Sequence, residues 1–384
     1  MNSKILGYRR ENGRIGIRNH VLLLPVEAVS YSVCRAVTNI VAETTYITHP
    51  YGRMQFGKDL ELHFRTLIGT GGNPNVSAVI VVGIEPVWTK IVADGIAKTG
   101  KPVASFCTVE NGDLKTIEQA ARKAAEFVHY STSLEKIQAD VSDLVLGYKC
   151  GESDTTSGLA GCPAAGVVCD RLIKQGATVM FGETPEITGA EHILVKHFAT
   201  KELGEEFLRI HKEYLDLIFS HGEDLLGSQP NQGNIAGGIS TIEEKALGNI
   251  QKLGKSPIVG ILDTCEAPGA PGLYFMNTSS AAADLVTAMA AAGAVMTVFV
   301  TGKGNNLGHP ITPVVKICAN PKVCGLVPEN LDVDVSGIIS RDITLEEGGN
   351  KIMERIIKTA RGMFTAAEVL KHDEFALTRL FPQS

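Results

Sequence analysis

Short runs of apolar, largely β-branched residues recur along the chain, and longer segments separate them. The runs are HVLLLPV (20–26), AVIVVG (78–83), PVASF (102–106), DLVLGY (143–148), ATVMFG (177–182), PIVGIL (257–262) and AVMTVFV (294–300). Helical patterns follow several of them, over 28–42, 87–99 and 114–130. Strands that are apolar throughout and alternate with helices form parallel sheets covered on both faces. The pattern therefore predicts an α/β protein with two lobes, each built on a mainly parallel sheet flanked by helices.

The charged segment STSLEKIQADVS (131–142) interrupts this alternation. A chain of 384 residues is long enough for two domains. We therefore predict an N-terminal α/β domain over 1–140 and a C-terminal α/β domain over 141–384, the second of which carries most of the polar clusters described below.

Charge and hydropathy limit the functional classes. The net charge is −6 and the basic residues are dispersed, so no basic surface for nucleic acid is expected. The N-terminus is charged where a secretion signal needs an apolar core, and the most apolar stretch contains Asp284 and changes from a helical to a strand pattern. These features predict a cytoplasmic protein that binds neither nucleic acid nor membrane. Its eight cysteines are expected to be thiols, and its partner a small molecule.

The segment KCGESDTTSG (149–158) follows an apolar run and combines a lysine, a cysteine, acids and hydroxyls. In open parallel sheets, ligands bind at the carboxyl ends of the strands. The N–H groups and hydroxyls of such a loop suit an oxyanion, and Lys149 is either a carboxylate anchor or, when desolvated, a base. The spacing of Cys150, Cys162 and Cys169 fits no zinc-finger pattern, which argues against a self-contained thiolate site. The alternative is an ordinary Ser/Thr/Gly turn.

Two basic clusters near the N-terminus offer anchors for an anion. GYRRENGRIGIRNH (7–20) contains Arg14, Arg18 and Asn19, which either bind an anionic ligand or form a solvated lead-in to the first strand. THPYGRMQFG (48–57) places His49 and Arg53 among glycines that permit close approach of a ligand, with an ordinary surface loop as the alternative.

FGETPEITGAEH (181–192) follows another apolar run. Glu183, next to the end of the predicted strand, is a candidate for metal binding or acid–base chemistry. Glu186 and Glu191 fit the first turn of a helix, where acids stabilise the helix dipole. Together the clusters predict an enzyme that acts on a small anionic substrate with a divalent metal, and they leave the reaction open.

Five blocks of the sequence resemble, in the same order and over nearly the whole chain, the altronate/galactarate dehydratase family. They are GYRRENGRIGIRN, KCGESDTTSG, FGETPEITGAE, GGISTIEEKALGNIQKLGK and FVTGKGNNLGHPITPVVKICAN. The resemblance implies removal of the proton α to a carboxylate and loss of the β-hydroxyl. Iron or another divalent cation would stabilise the enolate-like charge that develops.

Two departures from the sugar-acid dehydratases favour a different leaving group. Arg53 and Ile84 stand where those enzymes typically carry cysteines. The segments HPYGRMQFG, IGTGGNPN and GIEP resemble one branch of the family, the large (β) subunits of (2R)-3-sulfolactate sulfo-lyases. This resemblance implies elimination of sulfite to leave pyruvate, with Arg53 suited to the sulfonate. A sugar-acid dehydratase and a non-catalytic subunit that binds small anions are the alternatives.

The resemblance also implies roles for individual residues. Lys149 or His49 is expected to be the base. Cys150, Asp154 and Glu183 are expected to bind the metal, iron(II) with manganese(II) or magnesium as alternatives. The side chains expected to hold the substrate are those of Arg14, Arg18, Asn19, Arg53, Ser153, Thr155 and Thr156. Because the chain begins at the first signature, where altronate dehydratase has a preceding small β-rich domain, a separate small subunit is expected. A homo-oligomer of the large chain is expected as well.

Overall fold

The computed structural model describes residues 4–109 and 111–379. The strands of this part are β1 (Lys4–Arg9), β2 (Ile15–Gly16), β3 (His20–Pro25), β4 (Thr44–Tyr46), β5 (Val76–Gly83), β6 (Val103–Cys107), β7 (Ile137–Asp140), β8 (Val145–Gly151), β9 (Thr178–Phe181), β10 (Ile258–Leu262), β11 (Gly272–Met276), β12 (Met296–Thr301), β13 (Val314–Cys318) and β14 (Val333–Asp334). The α-helices are α1 (Tyr31–Ile40), α2 (Gly57–Gly72), α3 (Pro86–Ala97), α4 (Gly112–Ser133), α5 (Cys162–Lys174), α6 (Glu191–Leu194), α7 (Lys201–Ser220), α8 (Gln232–Ala236), α9 (Ile242–Ile250), α10 (Ala282–Ala291), α11 (Pro321–Leu326), α12 (Leu345–Ala360) and α13 (Ala366–Val369). In the described ranges, no helix is long and apolar enough to cross a membrane.

Two parallel sheets organise the two lobes. The N-terminal lobe contains a four-stranded sheet in the order β4-β3-β5-β6, and the C-terminal lobe a seven-stranded sheet in the order β10-β11-β9-β8-β12-β13-β14. The apolar runs of the sequence form β3, β5, β6, β8, β9, β10 and β12. The side chains of β3, β5, β8, β9 and β12 are almost all buried on both faces because helices cover the sheets, whereas β6 and β10 at the sheet edges are partly exposed. The predicted α/β class, with parallel sheets flanked by helices, is confirmed.

The basic segment that precedes the first apolar run is not a plain lead-in. It forms β1 and β2, which join β7 in a three-stranded antiparallel sheet. Ile5, Ile15 and Ile17 of this region pack in the same core as Leu146 and Val298 of the seven-stranded sheet. The beginning of the chain therefore packs against the C-terminal lobe, and the proposed domain boundary near residue 140 stays a prediction.

The two lobes also meet through α2 and α10. At Gly69 in α2, a Cβ would lie 2.3 Å from the carbonyl oxygen of Ala291, so the two helices approach closely. The C-terminal tail reaches the N-terminal lobe, where Phe375 and Leu377 pack in the core of the four-stranded sheet. The N-terminal segment is therefore anchored in the C-terminal lobe, and the C-terminal tail is anchored in the N-terminal lobe.

Gly69→Ala is expected to lower the free energy of unfolding by about 1–3 kcal/mol, because the new methyl group would overpack the contact between α2 and α10. The matched control is Gly325→Ala in α11, where a Cβ meets no atom within 4 Å. Alanine favours a helix over glycine, so the control is expected to be as stable as the parent or slightly more so. Urea denaturation followed by circular dichroism measures both variants. Equal stability of the two would contradict the close contact between the helices.

Candidate active site

Lys149, Cys150 and Glu183 meet at the carboxyl edge of the seven-stranded sheet. Lys149 and Cys150 lie on β8, and Glu183 comes two residues after the neighbouring parallel strand β9. Glu183 has φ 71° and ψ 47°, a left-handed conformation that residues other than glycine rarely adopt. Strained residues of this kind persist where surrounding contacts hold them, and they cluster at functional sites.

Two lysines hold the carboxylate of Glu183. The Nζ atom of Lys149 donates a hydrogen bond to Oε1, and the Nζ atom of Lys252 donates one to Oε2 at 2.6 Å. Lys149 also donates to the carbonyl oxygen of Cys150 at 2.7 Å. The side chains of the two lysines and Glu183 are at most 2% exposed, so this ion-paired group is almost wholly removed from water. Such a group is stable only while all its members are present.

The pKa values of these groups are set by burial and by one another. Burial works to lower the pKa of Lys149, but the negative charges of Glu183 and Glu186 raise it above its ordinary value. Burial also works to lower the pKa of Lys252, and the charges of Cys150 and Glu183 raise it. For Glu183, burial works to raise the pKa and the two ammonium groups lower it. Glu183 and both lysines are therefore charged at neutral pH.

Cys150 lies beside this ion-paired group. Its Sγ atom is 3.4 Å from Oδ1 of Asn249 and 3.8 Å from Nζ of Lys252. A hydrogen bond with Cys162 lowers the pKa of Cys150, while burial works to raise it, and Lys252 contributes to the lowering. The contacts with Cys162 and Lys252 favour the thiolate, which is the form of cysteine that binds metals and attacks electrophiles. The hydrogen bond that the thiol donates to Oδ1 of Asn249 and the charge of Glu183 work in the opposite direction.

Glu186 completes what we call the Glu183 cluster, namely Lys149, Cys150, Glu183, Glu186 and Lys252. Its Oε1 atom lies 3.4 Å from Nζ of Lys245 and 4.0 Å from Nζ of Lys149. Its Oε2 atom is buried and has no hydrogen-bond partner among the described residues. Because buried carboxylate oxygens are normally hydrogen-bonded, this atom is a candidate for contact with a metal ion or a substrate.

Three members of the cluster offer a donor set for a metal. Ligand atoms of Cys150, Glu183 and Glu186 all lie within 4.8 Å of one another, and all three residues are buried. One thiolate and two carboxylates suit a divalent transition metal such as iron(II) better than magnesium, which prefers oxygen donors alone. The residues therefore fit a metal ion, and the unpartnered oxygen of Glu186 supports that fit. A metal at these atoms would compete with the two lysines for Glu183.

Asp154 holds the loop that follows β8. Its carboxylate accepts hydrogen bonds from Oγ1 of Thr156 at 2.7 Å, the backbone N of Ser157 at 2.9 Å and Nδ2 of Asn320 at 2.7 Å. A Cβ on Gly302 would lie 2.4 Å from its Cγ atom, so the loop is tightly enclosed. These contacts are those of a loop anchor. Metal binding by Asp154 and substrate binding by Thr156 stay predictions.

A cavity of about 570 Å³ lies between this loop and α9. Its lining includes Cys150, Ser153, Thr155, Thr241, Lys245 and Asn249. The first part of the loop continues into a π-helical turn, Ser157–Gly161, which leads into α5. Such turns are frequent at functional sites because they change the direction of side chains within a helix. The predicted substrate-binding residues Ser153 and Thr155 therefore share a cavity with Cys150, and their role stays a prediction.

The predicted anion anchors near the N-terminus are engaged elsewhere. Arg14 donates to a backbone carbonyl in the turn after α10 at 2.9 Å, and Asn19 donates to one near the end of α4 at 2.7 Å. Arg18 forms an ion pair with Glu368 at 2.6 Å. In the part of the chain that the structure describes, none of the three contacts the Glu183 cluster. They fasten the N-terminal segment to the rest of the protein, and a substrate-binding role for them stays a prediction.

His49 and Arg53 lie at the carboxyl edge of the other, four-stranded sheet. The Nε2 atom of His49 is 3.1 Å from the carbonyl oxygen of Pro25, and its Nδ1 atom accepts from the backbone N of Tyr51 at 3.3 Å. Burial lowers the pKa of His49, so the ring is neutral and backbone groups occupy both nitrogens. Among the described residues, neither His49 nor Arg53 forms a hydrogen bond or ion pair with the Glu183 cluster. The assignment of His49 as base stays a prediction.

Several residues at the site were not predicted from the sequence. Lys245 and Asn249 are four residues apart on α9, and Lys252 lies in the following turn, so all three face the sheet edge together. In the sequence, the only indication of this was their spacing of four and three residues within the block GGISTIEEKALGNIQKLGK, which places them on one face of a helix. Glu186, which was interpreted as a dipole-stabilising acid, lies in a short 3₁₀ turn, Thr184–Ile187.

Comparison with family models places both halves of the chain in one family. The model described as "D-galactarate/Altronate dehydratase, C-terminal" matches residues 141–383. The model described as "D-galactarate dehydratase/Altronate hydrolase, second domain" matches residues 7–132. Together the two models span nearly all of the described chain.

Comparison with characterised proteins shows a high similarity to one named lyase subunit. The chain is 54% identical over 378 residues to the (2R)-sulfolactate sulfo-lyase subunit beta of Chromohalobacter salexigens, covering 98% of this chain and 97% of that protein. It is 29% identical to the altronate dehydratase of Bacillus subtilis, covering 98% of this chain and 78% of that protein. It is 30% identical to the galactarate dehydratase (L-threo-forming) of Escherichia coli, covering 78% of this chain and 59% of that protein.

Proposed function

Because the chain belongs to the D-galactarate/altronate dehydratase family, we propose that it is the large subunit of a lyase that eliminates sulfite from (2R)-3-sulfolactate and leaves pyruvate. The observation that carries this proposal is the buried Glu183 cluster beside the cavity. Cys150 lines the cavity, and the two ammonium groups and the donor set for a metal lie buried behind it. The similarity to a protein named as a sulfolactate sulfo-lyase subunit supports sulfite as the leaving group.

The reaction requires one proton to leave C2 of the substrate and one bond, between C3 and sulfur, to break. The electron pair of the C2–H bond forms the C2–C3 double bond, and the electron pair of the C3–S bond leaves with sulfite. The enol of pyruvate that results takes a proton at C3, loses the proton of its hydroxyl and becomes the ketone. Negative charge develops on the substrate carboxylate as the C2 proton leaves, so the site must place positive charge beside it.

In this proposal Lys149 is the base and Lys252 is a fixed cation. Lys149 is protonated at rest, when it donates a hydrogen bond to Oε1 of Glu183, so it must lose this proton before it can act as the base. The free amine then takes the C2 proton. Lys252 keeps its charge and stabilises the enolate-like carboxylate. Ser153 and Thr155 on the cavity wall would donate hydrogen bonds to the anionic ends of the substrate.

We propose iron(II) as the resident metal, held by Cys150, Glu183 and Glu186. A bound divalent ion supplies Lewis-acid stabilisation of the negative charge that develops on the substrate. The contribution of the chain is to position the three donors. Asn249 contacts the sulfur of Cys150, and the backbone N of Glu183 donates to Oγ1 of Thr278 at 3.2 Å.

We further propose that a separate small subunit assembles with this chain in the cytoplasm, and that the large chain forms a homo-oligomer. The designation "subunit beta" of the 54% identical relative supports a partner chain. Four apolar side chains at the carboxyl edge of the four-stranded sheet are 50–69% exposed, and exposed apolar patches of this kind mark interaction surfaces. They are Val29, Phe56, Val87 and Val109. We expect the small subunit to cover this edge.

Product analysis tests the proposed function. The chain and its small subunit, loaded anaerobically with iron(II), are incubated separately with (2R)-3-sulfolactate, altronate and galactarate. Sulfite and pyruvate are expected in equal amounts from sulfolactate, with no keto acid from either sugar acid. A keto acid from a sugar acid and no sulfite from sulfolactate would identify a dehydratase instead, which the family membership also permits. No product from any of the three would favour a non-catalytic subunit that binds small anions.

A further inference from the structure

A second polar site lies at the carboxyl edge of the four-stranded sheet. In the strand order β4-β3-β5-β6, the connection after β3 leads to one side of the sheet and the connection after β5 leads to the other. The crevice between two such connections is where open parallel sheets bind their ligands. Glu27 lies just after β3, and its Oε2 atom accepts a hydrogen bond across the crevice from the backbone N of Ile84 at 2.9 Å.

The other oxygen of Glu27 has no partner. The side chain is fully buried, and Oε1 has no hydrogen-bond partner among the described residues. The hydroxyl of Ser30, three residues further on, is also buried, and it acts on the carboxylate of Glu27 and lowers its pKa, although its contact falls outside hydrogen-bond geometry. A buried carboxylate oxygen without a donor is unfavourable, and it is accounted for when a ligand supplies the missing hydrogen bond.

A pair of neutral histidines braces the same crevice. His49 binds the carbonyl oxygen of Pro25, and His63 binds that of Val26 at 2.9 Å, so both rings hold the segment that leads to Glu27. Burial lowers the pKa of His63 to about 4 and also lowers that of His49. Neither ring is therefore the charged partner that Glu27 lacks.

The loop that carries Arg53 is fastened to these same groups. The side chain of Gln55 donates to the carbonyl oxygen of Gly52 at 2.9 Å and contacts Nδ1 of His63 at 3.1 Å. The backbone carbonyl of Tyr51 accepts from the residue after Glu27 at 2.8 Å. Arg53 thus stands at the tip of a braced loop, and its exposed guanidinium forms no hydrogen bond or ion pair with a described residue.

Arg53 and Glu27 are close enough to interact electrostatically. Burial and the charge of Glu85 raise the pKa of Glu27, while the N–H of Ile84, the positive charge of Arg53 and the hydroxyl of Ser30 oppose that rise. The crevice therefore offers one cation that is not paired and one carboxyl oxygen that lacks a hydrogen-bond donor. Guanidinium groups bind sulfonates and carboxylates through paired hydrogen bonds, and a carboxyl oxygen accepts a hydrogen bond from a hydroxyl.

We propose that Glu27 and Arg53 form a second ligand site, for a small anion that also carries a hydroxyl group. Its sulfonate or carboxylate pairs with Arg53, and its hydroxyl donates to Oε1 of Glu27. Among the described residues, no hydrogen bond or ion pair joins this site to the Glu183 cluster. In naming 3-sulfolactate as the ligand, the inference rests on the proposed function. The geometry by itself specifies a hydroxylated anion.

The single tryptophan of the chain reports on this site without an activity assay. Trp88 lies in α3, with its ring centroid 5.9 Å from that of His63 and 5.1 Å from that of Phe64. Titration of the full chain with (2R)-3-sulfolactate is expected to give a saturable change in Trp88 fluorescence. The same saturable change in fluorescence is expected for the Lys149→Met variant, because Lys149 belongs to the Glu183 cluster.

Two variants and one matched control assign the contacts. Arg53→Gln is expected to weaken binding of sulfolactate and of 3-sulfopropionate, which lacks the hydroxyl, by about tenfold each. Glu27→Gln is expected to weaken binding of sulfolactate alone, since only that probe carries the hydroxyl. Lys58→Gln, a change of a nearby exposed cation, is expected to bind both probes as the parent does.

Three outcomes would overturn the inference. They are the absence of a saturable signal in the parent, an Arg53→Gln titration equal to that of the parent, and loss of the signal in Lys149→Met. Circular dichroism verifies the fold of Glu27→Gln and of Lys149→Met, since both change buried residues, and Lys149→Arg replaces Lys149→Met if the latter does not fold. Arg53→Gln keeps the test decisive because Arg53 is exposed. Sulfite release without a fluorescence signal would refute this site and leave the proposed function intact. A fluorescence signal without sulfite release would support this site and contradict the proposed function.

Discussion

Lys149→Met is expected to reduce sulfite release from (2R)-3-sulfolactate by about 10³-fold, because it removes the group proposed to take the C2 proton. The side chain is 1% exposed, and its Nζ atom contacts both Glu183 and the carbonyl oxygen of Cys150. Methionine has a similar length and no charge, so it fills the same space. The rate of sulfite release at saturating substrate, with kcat and KM measured separately, tests the role.

A second substitution at the same position separates proton transfer from charge. Lys149→Arg keeps a positive charge near Glu183, but a guanidinium does not release its proton at any accessible pH. We therefore expect Lys149→Arg to be as inactive as Lys149→Met. If arginine restored a tenth or more of the parental kcat, Lys149 would act only as a cation, and the base would have to be sought elsewhere. Lys255→Met, which changes an exposed lysine beyond α9, serves as the control.

Glu183→Gln is expected to lower the free energy of unfolding by about 3–5 kcal/mol at pH 7, because it leaves two buried ammonium groups without their shared carboxylate. Glu183 contacts Lys149 through one oxygen and Lys252 through the other, at 2.6 Å for the second pair. The matched control is Glu206→Gln, which breaks an exposed ion pair with Arg209. Exposed pairs contribute about 0–1 kcal/mol, so the control is expected to remain close to the parent. Urea denaturation measures both.

The effect of Glu183→Gln is also expected to depend on pH in one direction. The pKa of Glu183 is lowered in the folded protein from its ordinary value of 4.5, since the two lysines overcome the opposing effect of burial. Its stabilising contribution is therefore complete above that ordinary value and is lost as the pH falls towards the folded-state value. The stability difference between the parent and Glu183→Gln should narrow as the pH is lowered below 4.5. A difference that stayed constant or widened would contradict the ion-paired state of Glu183.

Part of the candidate site could be predicted from the sequence, because its residues lie at the ends of predicted strands. Lys149 and Cys150 close one apolar run, and Glu183 follows the next run along the chain. Since these runs are neighbouring parallel strands, their carboxyl ends lie side by side. The sequence therefore placed all three residues at strand ends, and the pairing of the two strands in the structure brought them together.

The rest of the site depends on packing between segments that are far apart in sequence. Lys252 reaches Glu183 across 69 positions of the chain, and it does so because α9 and its following turn pack over the sheet edge. Sequence reasoning treated Glu186 as a helix-terminal acid, since nothing in its local pattern reveals that it faces two lysines. Similarly, the sequence left Lys149 and His49 as alternatives for the base, because local residue patterns do not specify how the two lobes are placed.

By itself, the sequence determined the fold class and the positions of most strands, because burial on both faces of a parallel sheet requires a continuous apolar run. It also determined which loops are rich in ionisable and hydroxyl side chains. Only the tertiary structure decided how these loops are distributed. It assigned the arginines of the N-terminal segment to structural contacts, gathered Lys149, Glu183 and Lys252 into one cluster, and placed Glu27 and Arg53 in another. The physical reason is that hydrogen bonds and ion pairs form only over a few ångströms, and such distances between remote segments are fixed by packing rather than by local pattern.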